Sequence, residues 1–304
     1  MVAAPGVAGA VVAADHRLPA SELRGFHQGS WVTWWRSQSA PAQWRAADPL
    51  VASSVLWRPA AAGMERGELR LAGNGEAWRL LVVLVTLEPS RLRFELVQAS
   101  RDAGTLPAWS LADRPAAAVL ALNTGQFTGG APWGWLVHRG QVEQPPAPEP
   151  LSLAVCVQAD GRVEFVPAAA IPVTGGGAAV EAFESYPALL EDDGTVPAAL
   201  REAGLGVDVA HRDARLALGE LRDGRILIAL TRFDAGGEAF GSLPFGPTLA
   251  ETAAIVGALG GRQAVGLDGG ISAQLALRDR DGAWQSWSGW RSVPLALVAF
   301  ARAQ

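Results

Sequence analysis

Gln263-Ala264-Val265-Gly266-Leu267-Asp268-Gly269-Gly270-Ile271-Ser272 is a short apolar run, β-branched in part, that stops at an acid followed by two glycines. Upstream, Leu249, Ala253, Ile255, Val256 and Leu259 recur at helical spacing, which predicts a helix over 248–259 closed by Gly260-Gly261. The order is therefore helix, tight loop, buried strand, and an acid at the strand's C-terminal end. Glycine pairs accept φ > 0 and leave backbone N–H groups uncovered, so a ligand oxygen can come close. A carboxylate displayed beside them suits catalysis or cation binding. Asp-Gly is also a common turn former, in which the Asp bonds its own backbone. Local sequence leaves both roles open.

Outward from this turn the chain is rich in strands. Trp78-Arg79-Leu80-Leu81-Val82-Val83-Leu84-Val85-Thr86-Leu87 is nearly all apolar, as a strand covered on both faces would be. Residues 92–97 alternate, so one face should be wetter, and Glu88-Pro89-Ser90-Arg91 is the turn between them. A short helix is predicted over 111–118. It leads into Val119-Leu120-Ala121-Leu122, which ends in Asn123-Thr124-Gly125-Gln126-Phe127. Gln144-Pro145-Pro146-Ala147-Pro148-Glu149-Pro150 is a stiff connector of polyproline character. Beyond it come strands over 153–157 and 163–166, joined by the turn Asp160-Gly161. Gly175-Gly176-Gly177 lacks the lysine of a nucleotide loop and reads as a flexible turn.

A short helix near 196–203 and two strands, 214–221 and 226–230, follow, the strands joined by Asp223-Gly224-Arg225. A Gly-rich loop over 234–246 then precedes the helix. After the Asp-Gly-Gly turn come residues 273–277, a loop bearing Trp284, Trp287 and Trp290, and a last strand over 293–300. The expected fold class is α+β, a strand-dominated mixed sheet with a few packed helices. Residues 55–304 should form one body. Residues 1–54 read as an N-terminal arm, irregular over 15–50, with Trp31, Trp34, Trp35 and Trp44. That much aromatic surface should anchor the arm by burial, the functional alternative being a stacking platform for a sugar ring.

The 304 residues are 49% hydrophobic and 18% charged, as in a globular protein with a sizeable core. Lys and Arg number 25 against 30 Asp and Glu, a net charge of −5 without a basic tract, which argues against nucleic acid as a partner. With one cysteine, Cys156 in an apolar strand, no internal disulfide or multi-cysteine zinc site can form. No stretch approaches the roughly 20 apolar residues of a membrane span. Residues 2–14, rich in Ala, Gly and Val without a basic start, read as a disordered lead-in rather than the remnant of an export signal.

No serine elbow, Walker loop, dinucleotide fingerprint or His-Glu-x-x-His is present, and the four histidines have no metal-ligand spacing. Asn123, Arg215, Asp268 and Arg291 remain, polar residues at or within apolar strands, each in need of a partner or a ligand. Arginines offer a fork to phosphate oxygens, and a carboxylate can act at an anomeric carbon. Structural ion pairs would account for the same residues.

These positions carry a resemblance. Asn123-Thr124-Gly125-Gln126-Phe127, Arg215-Leu216-Ala217-Leu218-Gly219, Leu267-Asp268-Gly269-Gly270-Ile271-Ser272 and Arg291-Ser292-Val293-Pro294 resemble, in order, the motifs of the phosphodiester glycosidase domain family. The family has a small glycine at Thr124, an aromatic at Gln126, a hydroxyl at Leu216 and a third glycine at Ile271. Glu184-Ser185-Tyr186-Pro187 stands for a Ser-Gly-Gly-Pro-like approach, and Thr231-Arg232-Phe233 for an Asp-Gly-Arg. These departures leave substrate and activity open.

The resemblance implies a hydrolase that cleaves a sugar from a glycosyl phosphodiester, in an exported, periplasmic or cell-envelope setting. It implies no cofactor and no protein metal site, with a divalent cation beside Asp268 left open. Asp268 would act at the anomeric carbon or its leaving oxygen. Asn123 would hold a sugar hydroxyl, Arg215 and Arg291 the phosphodiester, and Gly269 and Gly270 would keep the approach clear. An arginine nearby should keep Asp268 ionised, so His211 or Glu184 would serve as the acid. The other reading is a non-catalytic glycan-binding relative, with Trp284, Trp287 or Trp290 stacking a sugar.

Overall fold

The run Leu80–Leu87 is a strand covered on both faces. Val83, Val85 and Leu87 enter one hydrophobic core while Leu80, Val82 and Leu84 enter another, which is why almost no position in it is polar. The computed structural model describes residues 17–99, 108–147, 151–171, 177–234 and 241–302. In it this strand lies inside a nine-stranded sheet. The order is Ala188–Leu190, Gly261–Gly266, Leu216–Leu221, Ile226–Phe233, Leu80–Leu87, Met64–Ala72, Glu22–His27 and Ser30–Arg36, with Leu56–Pro59 also on Met64–Ala72.

A five-stranded sheet runs Gln141–Gln144, Leu136–His138, Ala179–Ser185, Leu153–Gln158, Val163–Pro167. A second runs Trp284–Trp287, Leu275–Arg278, Leu120–Asn123, Leu295–Ala301, Leu92–Gln98. Every strand pairing among the described residues is antiparallel, which corrects the expected mixed sheet. Tight turns such as Asp223-Gly224 connect strand neighbours, and a tight turn can only join antiparallel strands.

The three large sheets meet in one core. Val85 and Leu218 come from the first, Val155 and Phe183 from the second, Leu122 and Leu297 from the third. On its other face the nine-stranded sheet carries the helix Leu249–Ala258, whose Ala253, Ile255 and Val256 pack with Leu84, Ala217 and Ala229. Burial of an Ile or Val side chain contributes about 1.5–3 kcal/mol each. Thr248 and Glu251 close the helix start as a capping box, and Gly260, at φ +90°, turns the chain out of it.

Glu251 does more than cap. It is fully buried, accepts from Arg212 Nη1 at 2.7 Å and Nη2 at 2.8 Å, and also takes the Ser21 hydroxyl. Losing one partner of a buried pair typically costs about 3–5 kcal/mol, so this cluster ties the N-terminal segment firmly to the helix.

That segment is not irregular. Glu22–His27 and Ser30–Arg36 form a hairpin that extends the large sheet through Arg24 opposite Ala72, and Pro49–Ser54 is a short helix capped by Asp48. Trp35 is buried, Trp34 and Trp44 meet at 6.4 Å between ring centroids, and Trp31 is exposed. Trp44 lies so close over Gly257 that a Cβ there would stand 2.2 Å from its ring. Two further expectations are corrected. The helix over 111–118 is a single 3-10 turn, Leu111–Asp113, ended by the approach to Pro115. Trp284 and Trp287 lie on a strand rather than in a loop. Residues 2–14, 148–150, 175–176 and 235–240, on which other expectations fall, lie outside the described residues.

We propose that the chain from residue 55 onward is one folding unit, because the core includes residues from both sides of the connector. Protease cleavage between 144 and 151 should then leave two pieces that co-elute in gel filtration. Two pieces that separate and each keep their structure would contradict this.

Candidate active site

The strand Gly261–Gly266 sits between Leu216–Leu221 and Ala188–Leu190, and its end is bolted to three other segments. Leu267 N donates to Leu216 O at 2.8 Å, Asp268 N to Thr124 O at 3.0 Å, and Gly270 N to Ala214 O at 2.7 Å. Asn123 fixes the turn from beneath. Its Nδ2 donates to Asp268 O at 2.8 Å, and its Oδ1 accepts from Gln274 N at 2.9 Å. The side chain is fully buried, so the sugar contact expected of it is corrected to the placing of Asp268.

Glycines at 269 and 270 are required, though by protein atoms rather than a ligand. A Cβ on Gly269 would stand 2.6 Å from Ala214 O, and one on Gly270 2.7 Å from Asp213 Oδ2. Gly270 also has φ +57°, the left-handed region. The turn is pressed directly onto residues 213–215. That contact brings in a group the sequence reading missed, the Asp213 carboxylate.

Asp268, Asp213, Arg215 and Gly269 line a cavity of about 260 Å³, with Gln126 and Tyr186 on its far wall. Arg215 is held by Nε to Pro247 O at 3.1 Å and Nη2 to His211 O at 2.7 Å. Its Nη1 has no protein hydrogen bond among the described residues. Arg291 is exposed, lies over the Phe127 ring at 4.7 Å, and acts on Asp268 by its charge. The two arginines therefore serve different carboxylates, Arg215 chiefly Asp213 and Arg291 Asp268.

Burial pushes the Asp268 carboxyl above the usual carboxylate range. A hydrogen bond from Ser272 and the Arg291 charge oppose that shift, and the Asp213 charge adds to it. The expectation that a neighbouring arginine would dominate is corrected, because desolvation outweighs it. Asp213 is raised too, by burial first, with Arg215, the Ala214 N–H and His211 pulling the other way. Burial lowers Arg215, and Asp213 partly restores it.

His211 stands exposed at the rim, with Nε2 3.6 Å from Asp213 Oδ2. Glu184 is a different matter. It is buried on the strand Ala179–Ser185, where its Oε2 accepts from Trp135 N at 2.8 Å and Ala147 N at 3.0 Å and its Oε1 from the Ser152 hydroxyl. It does not line the cavity, and its oxygens are engaged in holding chain segments together, so its expected role as the acid is corrected to a structural one. Gly134 permits this, since a Cβ there would stand 2.6 Å from Glu184 Oε2.

Among the departures, Gln126 accepts from the Ser185 hydroxyl at 3.1 Å and Tyr186 N at 3.0 Å, binding the first motif to the cavity wall. Thr124 Oγ1 donates to Leu295 O at 3.2 Å. Ile271 is exposed and its carbonyl takes Trp290 N and Arg291 N. These substitutions leave the turn intact. Among the described residues no group of three or more His, Cys, Asp or Glu could hold a metal ion, and no helix is long and apolar enough to cross a membrane.

Residues 116–300 match the family model of phosphodiester glycosidases, and the chain belongs to that family. Among solved structures, it resembles the catalytic domain of zebrafish N-acetylglucosamine-1-phosphodiester alpha-N-acetylglucosaminidase, auto-inhibited by its pro-peptide. The TM-score is 0.57 and the identity 14%, over 93% of this chain and 89% of that one. A hypothetical protein from Synechocystis aligns with TM-score 0.50 and 16% identity over 81% of this chain, which spans only 64% of that protein. A Burkholderia pseudomallei K96243 protein assigned as exported aligns with TM-score 0.51 and 16% identity, over 73% of this chain and 74% of that one. At these identities the likeness is one of fold. No curated protein matches the sequence.

The raised Asp268 carboxyl has a consequence for stability. Its folded value lies above the unfolded one, so ionisation near neutrality weakens the fold, and the penalty disappears as pH falls through the folded value toward the unfolded one at about 3.9. Asp268→Asn should therefore melt higher than the wild type at about pH 7, with the gap closing toward about pH 4. A gap that is absent at neutrality, or that widens in acid, would contradict the assignment.

Proposed function

We propose that the chain hydrolyses a glycosyl phosphodiester, breaking the bond between a sugar's anomeric carbon and a phosphate oxygen. The observation that supports this best is a carboxyl pair, Asp268 and Asp213, sharing one cavity with Arg215 in a member of this family. Asp268 acts at the anomeric carbon, where positive charge develops as the bond breaks. The departing group is a phosphomonoester whose second pKa is about 6, so it leaves as an anion and needs little help from a strong acid. Arg215, through its unused Nη1, and Arg291 bind that anion. Water gives its hydroxyl to the anomeric carbon and its proton to Asp213, from which His211 at the rim passes it to solvent. The products are the free sugar and the phosphomonoester. The exported setting of the Burkholderia neighbour is extended to this chain on the same reading.

A panel of glycosyl phosphodiesters, starting with the N-acetylglucosamine named in the zebrafish relative, tests it by released sugar. Asp268→Asn should lower turnover by roughly 100-fold or more while retaining substrate. Arg215→Lys keeps the charge but loses the planar fork, and should weaken binding about tenfold, roughly 1–2 kcal/mol. Sugar binding with no turnover by the wild type would instead make the chain a glycan-binding relative. Normal turnover by Asp268→Asn would remove Asp268 from the chemistry.

A further inference from the structure

A larger groove, about 830 Å³, opens away from the Asp268 cavity, between the strands Ile226–Phe233 and Trp284–Trp287. Arg232 lies in its wall and is 4% exposed. Its Nη2 donates to Ala273 O at 2.9 Å, Trp287 O at 2.9 Å and Ser288 O at 3.2 Å, while Nε and Nη1 are buried with no partner. Three carbonyls orient a guanidinium without cancelling its charge, and a buried cation ordinarily has a carboxylate beside it.

The acids in this groove are already engaged. Glu68 pairs with Arg66 at 3.2 Å, and Asp234 with Arg70 at 3.3 Å. Nothing charged acts on Arg232, whose guanidinium burial alone pulls down to about 10. The groove therefore carries one positive charge that the protein does not balance.

The rest of the lining is suited to a sugar. Gln285, Ser286, Ser288 and Ser242 supply donors and acceptors, and Trp287 is half-buried with no ring or cation partner among the described residues. Trp284 differs. Arg114 at 4.4 Å and Arg278 at 4.8 Å lie over its ring, and Trp290 donates to Ser242, so the stacking expected of these tryptophans falls to Trp287.

We propose that this groove is a second binding site, separate from the Asp268 cavity, for an acidic saccharide. Its carboxylate or phosphate faces Arg232 and a ring stacks on Trp287. The site goes beyond the hydrolytic reading and does not depend on it.

Isothermal titration of the full chain carrying Asp268→Asn, which prevents turnover, tests the proposal with four probes: trigalacturonate, glucose 6-phosphate, inorganic phosphate and maltotriose. Trigalacturonate or glucose 6-phosphate should bind, the stronger of the two identifying the anionic group, and maltotriose and inorganic phosphate should each bind at least about tenfold more weakly. Trp287→Ala and Arg232→Lys should each weaken the acidic probe by about tenfold, while Arg215→Lys leaves it unchanged. Trp287→Ala decides the matter alone if Arg232→Lys fails to fold. Equal binding of maltotriose, equal binding of inorganic phosphate, or no binding of either acidic probe would overturn the proposal. Loss of binding with Arg215→Lys but not with Trp287→Ala would place the ligand in the Asp268 cavity and overturn it equally. Because the readout is binding, failure of the hydrolytic reading would not affect the result.

Discussion

The buried amide of Asn123 holds the site together. It reaches from the end of one sheet to the carbonyl of Asp268 and the N–H of Gln274, on either side of a turn that leaves another sheet. A wholly buried amide left unbonded would cost about 1–3 kcal/mol per unsatisfied group, so strand and turn are locked in one register. The Asp268 N–H completes the lock by donating to Thr124 O. The position of the Asp268 carboxylate then follows from backbone geometry rather than from the freedom of a loop.

The chemistry follows from what this lock presses together. Gly269 and Gly270 allow the turn to lie against residues 213–215, which brings a second carboxyl into the cavity beside an arginine. Each carboxyl is raised by burial, and the charge of Asp213 raises Asp268 further. Two such groups with different neighbours are the arrangement from which acid and base roles separate. A phosphate leaving group relaxes the demand on the acid, and that matches a site whose histidine stands at the rim.

The sequence made some of this legible and hid the rest for physical reasons. The helix, strand and Asp-Gly-Gly turn were readable because periodicity, capping and glycine punctuation all agreed over 248–270. The meeting of Asn123 and Asp268 was readable because a polar residue at a buried strand end needs a partner. Which partner was not, so Asn123 was given a ligand when it holds a backbone. Glu184 was misread for a related reason: the N–H groups of Trp135 and Ala147 that hold it are distant in sequence. Asp213 left a faint signal in His211-Arg212-Asp213-Ala214-Arg215, whose alternate residues point one way if the segment is extended. The hairpin of the N-terminal segment was obscured because its strands are short, tryptophan-rich and wet on one side.

The central claim is that this site breaks the carbon–oxygen bond of a glycosyl phosphodiester, with Asp268 at the anomeric carbon. Hydrolysis of such a substrate in water labelled with heavy oxygen, with both products examined by mass spectrometry, tests it most directly. The account predicts the label in the anomeric hydroxyl of the released sugar and none in the phosphomonoester. Label in the phosphate would mean attack at phosphorus, and would contradict the account.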